Sequence, residues 1–110
     1  MSYNALCPLE TDWKLFRKNL PIWQENYMAQ LNREYQGILA QKKSPSAIFW
    51  ELEKRIRRDK TMTGVIGDGM SRSNMSRQVF ELLHEGVITL EDLSEFSEEF
   101  QETVKWVMNY

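Results

Sequence analysis

Apolar side chains recur at helical spacing within residues 21–43, and this pattern restricts the fold more than any other feature. Five large apolar or aromatic residues follow one another at intervals of four, four, four and three. At about 100° per residue they fall on one stripe of an α-helix. The stripe consists of Trp23, Tyr27, Leu31, Tyr35 and Ile38. The sequence therefore predicts one long amphipathic helix, and a shorter helix is expected before it, over residues 10–19.

Start and stop signals divide the remaining chain into further helices. Ser44-Pro45 is typical of a helix start, because serine caps the first turn and proline fits its first position. We expect this helix to run to about Lys60 with Phe49, Leu52 and Ile56 on its inner face. Capping residues predict three more helix starts, at Ser71 or Ser73, at Thr89 and at Ser97.

No segment alternates between apolar and polar residues with the period of two that a β-strand would need. The fold class predicted is all-α, a single compact domain of five or six helices spanning residues 1–110. Three of the five glycines occur within residues 64–69, in the stretch G-V-I-G-D-G. We expect a flexible glycine-containing loop near residues 61–70, because glycine leaves the backbone its widest conformational freedom.

Charge is unevenly distributed, although the net charge of the chain is only −2. Residues 54–77 contain seven basic and two acidic side chains, whereas residues 78–110 contain one basic and eight acidic side chains. The first segment therefore has a net charge of +5 and the second of −7. Two interpretations follow: the segments pair within the molecule, or one of them faces a partner.

Composition argues against several classes of protein. Cys7 is the only cysteine, so no disulfide can form within the chain, and a reducing compartment is the natural setting. No apolar run reaches the roughly 18 residues needed to cross a bilayer. The N-terminal residues lack the basic start and apolar run of a secretory signal. We expect a cytoplasmic protein without a membrane span.

Two segments resemble parts of short bacterial proteins of no established activity. These segments are F-W-E-L-E-K-R-I-R-R-D-K at residues 49–60 and M-S-R-S-N-M at residues 70–75. Some proteins of that kind carry the label "multidrug transporter", which cannot describe a membrane-spanning transporter in a chain without an apolar span. The resemblance implies no catalytic residue.

The glycine-containing stretch has part of the pattern of a phosphate-binding loop. Gly64 and Gly69 have the spacing of a P-loop, but Met70 occupies the position where the motif requires lysine. What remains is a glycine-containing turn before a helix start, where anions are favoured. The candidate anion site consists of Gly67, Gly69, Ser71 and Arg72. A connecting segment is the interpretation that we favour.

The basic run at residues 54–58 is the second candidate site. Arg55 and Arg57 each follow a glutamate by four residues, the spacing of a stabilising helical ion pair. Trp50 projects about 160° from Leu52, and Trp106 also lies off the main apolar stripe of its helix. Each tryptophan needs either a second helix to cover it or a partner surface. The candidate interaction surface consists of Trp50, Lys54, Arg57, Arg58 and Trp106.

Catalytic and metal sites are not indicated. His84 has no companion residues at the spacing that metal or triad chemistry requires, and Cys7 lacks a neighbouring base. We expect no enzyme activity and no cofactor. The hypothesis that we favour is a small helical protein that binds another protein or itself. The alternative is a nucleic-acid-binding regulator that uses Lys54, Arg55, Arg57, Arg58, Arg72 and Arg77.

Overall fold

A computed structural model describes residues 8–66 and 69–108. These residues form four α-helices: α1 (Glu10–Leu39), α2 (Pro45–Asp59), α3 (Met75–His84) and α4 (Glu98–Val107). Two short 3-10 helices, Arg72–Asn74 and Leu90–Leu93, precede α3 and α4. No β-strand occurs in the described residues, which confirms the all-α class. The count of five or six helices is wrong, because only four α-helices form there.

The helix α1 is continuous, whereas the sequence predicted a break before Pro21. Proline removes one backbone hydrogen bond and costs ~3 kcal/mol within a helix. Apolar residues on both sides of it, Phe16, Leu20 and Trp23, are nevertheless buried in the same core. We infer that this packing offsets the cost of proline. The helix ends at Leu39 rather than near residue 43, since a short turn leads to the cap of α2.

The main core lies between the first half of α1, α3 and α4. Buried apolar side chains from all three helices and from residues 88–96 contact one another there. Thr89 begins only a 3-10 turn, although its backbone N–H donates to the Asp92 carboxylate at 2.7 Å as expected for a capping box. A full helix does not fit, because the cap of α4 at Ser97 follows eight residues later and Leu93 and Phe96 must both be buried.

The second half of α1 and α2 form an antiparallel helical hairpin. The hairpin contributes to an elongated shape of 57 × 26 × 18 Å with a radius of gyration of 16.8 Å. Asp59 is the only buried residue of α2. The predicted inner face of α2 is wrong: Phe49 is 61% exposed and Ile56 is 40% exposed. The reason is that α2 packs mainly on α1, so a large part of its apolar surface has no neighbour.

The turn after α2 is packed in its first part. The backbone N–H groups of Thr63 and Gly64 donate to the Glu85 carboxylate at 3.1 and 3.2 Å, and the Thr63 hydroxyl donates to Glu81 at 2.9 Å. Gly64 is buried against the ring of Tyr27. Gly64 thus has a steric reason for its place that the sequence did not indicate. The flexibility of the loop stays a prediction.

Candidate helix-binding surfaces

The orientation of α2 is set by its first and last turns. The Ser44 hydroxyl accepts a hydrogen bond of 3.2 Å from the backbone N–H of Ala47, which fixes the start of the helix. At the other end Asp59 is buried against α1, where the Tyr35 hydroxyl donates to its carboxylate at 2.6 Å. Trp50 precedes Asp59 by nine residues, so at about 100° per residue it points away from α1.

Two aromatic rings on α2 are therefore exposed side by side. Phe49 and Trp50 are 61% and 62% exposed, and their ring centroids lie 5.0 Å apart in an edge-to-face arrangement. Neither of the two helices in the hairpin covers them. The sequence left two environments open for Trp50, a second covering helix or a partner surface. No helix covers Trp50 among the described residues.

A shallow groove runs along α2 beside these rings. It has a volume of about 290 Å³ and its floor includes Phe49, Leu52 and Ile56. Ile56 also borders a second groove of about 190 Å³, which reaches α1 at Leu31 and Tyr35. Ile56 and Lys60 line both grooves, so the two grooves adjoin on the surface of α2. Apolar side chains in such a groove can contact apolar side chains of another helix.

Most cations of the basic run are engaged within the fold. Arg55 pairs with Glu34 and with Asp59, and its guanidinium lies 5.7 Å from the centre of the Tyr35 ring. Its hydrogen bond to Glu34 lowers the pKa of that carboxyl. Arg58 contacts Asp59 at 3.2 Å. These pairs explain much of the positive charge as support for the hairpin.

The remaining cations of the run differ from one another. Arg57 pairs with Glu53 one helical turn earlier, and this hydrogen bond raises the pKa of Arg57 and lowers the pKa of Glu53. That pair is exposed to water, where a helical ion pair contributes little to stability. Lys54 is exposed and has no ion pair among residues 8–66 and 69–108. Lys54 and Arg57 flank Trp50 on the outer side of α2.

A second exposed surface lies on α4. Trp106 is 73% exposed, because it projects away from Phe100 and Val104, which are fully buried in the core. Glu99 and Glu102 lie beside it and are exposed, and neither carboxylate has an ion pair in the part of the chain that the structure describes. No ring contact joins Trp50 to Trp106 there. The candidate interaction residues thus form two separate surfaces, one basic on α2 and one acidic on α4.

The residues of the candidate anion site have other partners. The guanidinium of Arg72 donates to the Pro8 carbonyl at 2.7 and 3.0 Å and to Glu10 at 2.7 Å. The Ser71 hydroxyl accepts from the backbone N–H of Asn74 at 3.3 Å. Gly69 is exposed and has a positive φ of 100°, a conformation that favours glycine. Gly67 lies outside the described residues. The observed contacts account for Ser71 and Arg72 without an anion.

No cluster of metal-binding side chains is seen in the described residues. No set of three histidine, cysteine or acidic side chains converges there on a common point. His84 is the last residue of α3, and Cys7 lies outside the described residues. No described helix combines the length and apolar character that crossing a membrane requires.

The sequence did not predict two buried polar contacts of the fold. Buried Asp12 accepts hydrogen bonds from the backbone N–H of Ser97 at 2.8 Å and from its hydroxyl at 2.7 Å, which joins α1 to the start of α4. Buried Asp59 joins α2 to α1 through Tyr35. Each aspartate resembles an ordinary surface charge in the sequence, so no local signal could have identified it.

Comparisons with family models, with curated proteins and with solved structures give no match for the chain. The resemblance of residues 49–60 and 70–75 to short bacterial proteins stays a prediction.

Proposed function

We propose that this protein acts by binding another protein, and that the exposed aromatic surface of α2 is the binding site. The observation that carries the proposal is the exposure of Phe49 and Trp50, which leaves two adjacent aromatic rings in water on the surface of α2. Aromatic residues are enriched at protein interfaces, and those at the centre of an interface carry much of its binding energy.

The geometry favours a helical ligand. The apolar grooves follow the axis of α2 and continue onto α1, and Arg57 and Lys60 border them. An amphipathic helix presents apolar side chains along one stripe and can place them in such a groove. Charged residues at the rim add specificity and faster association rather than most of the affinity.

The test is site-specific photo-crosslinking in cells that express the chain. A photoreactive amino acid at position 49 is expected to give a discrete covalent protein adduct on irradiation. Position 33 is the matched control, because Arg33 is exposed on α1. The proposal fails if position 49 gives no adduct, or if both positions give the same diffuse set of adducts.

A further inference from the structure

We propose that the surface of α2 binds the surface of α4 in a second copy of this chain. This inference rests on the proposed function, because it names the partner of Trp50, one of the two exposed aromatic rings of α2. The two surfaces are defined here by three residues each. The α2 surface consists of Trp50, Lys54 and Arg57; the α4 surface consists of Trp106, Glu102 and Glu99.

The first argument is the spacing of these residues. Lys54 and Arg57 follow Trp50 by four and seven residues, whereas Glu102 and Glu99 precede Trp106 by four and seven residues. At about 100° per residue, both charged residues of each surface lie within ~40° of their tryptophan. Each surface is therefore a single stripe with an aromatic ring at one end and two charges behind it.

The second argument is the direction of the two stripes. In α2 the charges lie on the C-terminal side of the tryptophan, and in α4 they lie on the N-terminal side. When two such helices pack antiparallel with their tryptophans side by side, Lys54 comes level with Glu102 and Arg57 with Glu99. A parallel arrangement would place the charges at opposite ends of the contact. The sequence order thus selects one orientation.

The third argument is charge complementarity between side chains that have no ion pair, or only an exposed one, among the described residues. Lys54, Glu99 and Glu102 have no ion pair in the described residues, and the exposed pair of Arg57 with Glu53 is weak. Pairing α2 with α2 of another copy would bring cations together, and pairing α4 with α4 would bring carboxylates together. Only the contact of α2 with α4 neutralises both surfaces.

The size of the contact limits the affinity of the association. Ten residues of helix are ~15 Å long, so a single pair of helices buries less than the ~800 Å² per partner of a standard interface. We therefore expect weak association, with a dissociation constant of ~10–100 μM. The contact joins unlike surfaces, so two copies either close reciprocally into a dimer or continue into longer assemblies.

The experiment measures the mass of the purified full chain by sedimentation and light scattering. At low salt the mass is expected to rise from the monomer value of 13.1 kDa as the concentration increases from ~10 to ~500 μM. In ~1 M salt, where the screening length is ~3 Å, it is expected to fall back to the monomer value.

Charge-reversed variants identify the surfaces. One variant carries Lys54→Glu with Arg57→Glu, and the other carries Glu99→Lys with Glu102→Lys. Each is expected to be monomeric alone, because its two surfaces then have the same charge. Mixed in equal amounts, the two variants are expected to associate, since α2 and α4 surfaces of opposite charge are again present. Circular dichroism verifies that each variant is folded.

Two further variants test the aromatic contact and the effect of charge changes elsewhere on the molecule. Trp50→Ser removes the aromatic contact without changing charge and is expected to weaken association at least ~10-fold. Arg33→Glu with Lys42→Glu changes the same number of charges at exposed sites away from both surfaces and is expected to leave association unchanged.

Several results overturn the inference. The inference fails if the wild-type chain stays monomeric at every concentration. It also fails if a mixture of the two charge-reversed variants does not associate. If, in that case, position 49 still crosslinks to a different protein in cells, the proposed function stands and the partner is not a second copy. If no adduct forms either, both proposals fail.

Discussion

The hydroxyl group of Tyr35 donates a hydrogen bond of 2.6 Å to the carboxylate of Asp59. This contact joins the two helices of the hairpin through a carboxylate that is only 3% exposed. Arg55 and Arg58 contact the same carboxylate from α2 at 3.1 and 3.2 Å. The hairpin therefore depends on a satisfied polar cluster, because α2 buries no large apolar side chain of its own.

Tyr35→Phe is expected to lower the free energy of unfolding by ~1–3 kcal/mol, since it removes one partner of a buried carboxylate. Tyr27→Phe is the matched control, because the Tyr27 hydroxyl has no hydrogen bond in the described residues. The control is expected to change stability by less than ~0.5 kcal/mol. Urea denaturation followed by circular dichroism measures both. Equal effects of the two substitutions would contradict the role given to the Tyr35 hydroxyl.

The same contact gives the hairpin a dependence on alkaline pH. Burial, aided by the hydrogen bond to Asp59, raises the pKa of Tyr35 from 10.0 to about 12. The folded state thus favours the protonated phenol. Its contribution to stability is complete below pH 10 and is lost as the pH rises from 10 towards 12. The wild type is expected to lose more stability than Tyr35→Phe between pH 9 and 11.5, which urea titrations at each pH would measure. Parallel losses would refute the assignment.

The sequence predicted much of the fold for identifiable reasons. The caps at Ser44 and Ser97 act locally, and the structure contains the corresponding helix starts. The break that a local rule predicted at Pro21 is wrong, because tertiary packing on both sides of Pro21 keeps α1 continuous. Local propensity is commonly overridden in this way.

The candidate surfaces were predicted only in part. The periodicity of α2 located Trp50 and Lys54 on its outer side, because that requires only the helix and its buried face. The same periodicity wrongly assigned Phe49 and Ile56 to the core, since a pattern shows that a face is apolar and not whether a neighbour covers it. The polar contacts of Asp12 and Asp59 link residues far apart in the chain and leave no local pattern.

Two glycine substitutions are expected to have opposite effects. A Cβ atom on Gly64 would lie 2.5 Å from the Tyr27 ring and 2.6 Å from Val87, so Gly64→Ala is expected to cost ~1–3 kcal/mol through overpacking. A Cβ atom on Gly37, within α1, would meet nothing within 4 Å. Gly37→Ala is expected to stabilise by ~0.5–1 kcal/mol, because alanine is the better helix former. Thermal unfolding measures both, and a neutral Gly64→Ala would show that the turn is loosely packed.

Asp12→Ala is expected to cost ~1–3 kcal/mol, because it leaves polar groups at the start of α4 without their buried acceptor. Ser97→Ala removes one of the two donors and also the cap of α4, whose hydroxyl accepts from Phe100 at 3.2 Å. The double variant is expected to lose less than the sum of the single losses, since both changes remove the same contact. A double-mutant cycle in urea checks this. Strict additivity would mean that Asp12 and Ser97 contribute independently.

Nucleic-acid binding is expected to be weak. Of the six cations that could form such a surface, Arg55, Arg57 and Arg58 pair within the hairpin, Arg72 pairs with Glu10, and Arg77 pairs with Glu81. Binding to phosphates would have to break these pairs, whereas Lys54 alone releases few counterions. Fluorescence anisotropy with labelled single and double strands is expected to show no saturation below ~10 μM protein at ~150 mM salt.

The salt dependence of any residual binding tests that explanation. Contact through a few cations predicts a shallow dependence of the association constant on salt. Arg58→Glu is expected to weaken the residual binding uniformly for all nucleic-acid sequences. Sub-micromolar binding at ~150 mM salt, with a steep salt dependence that Arg58→Glu reduces, would require the ion pairs of the hairpin to open. That result would make nucleic acid the ligand of α2. The proposed binding of α2 to α4 would then be tested against it by competition, since one helix surface cannot hold both partners.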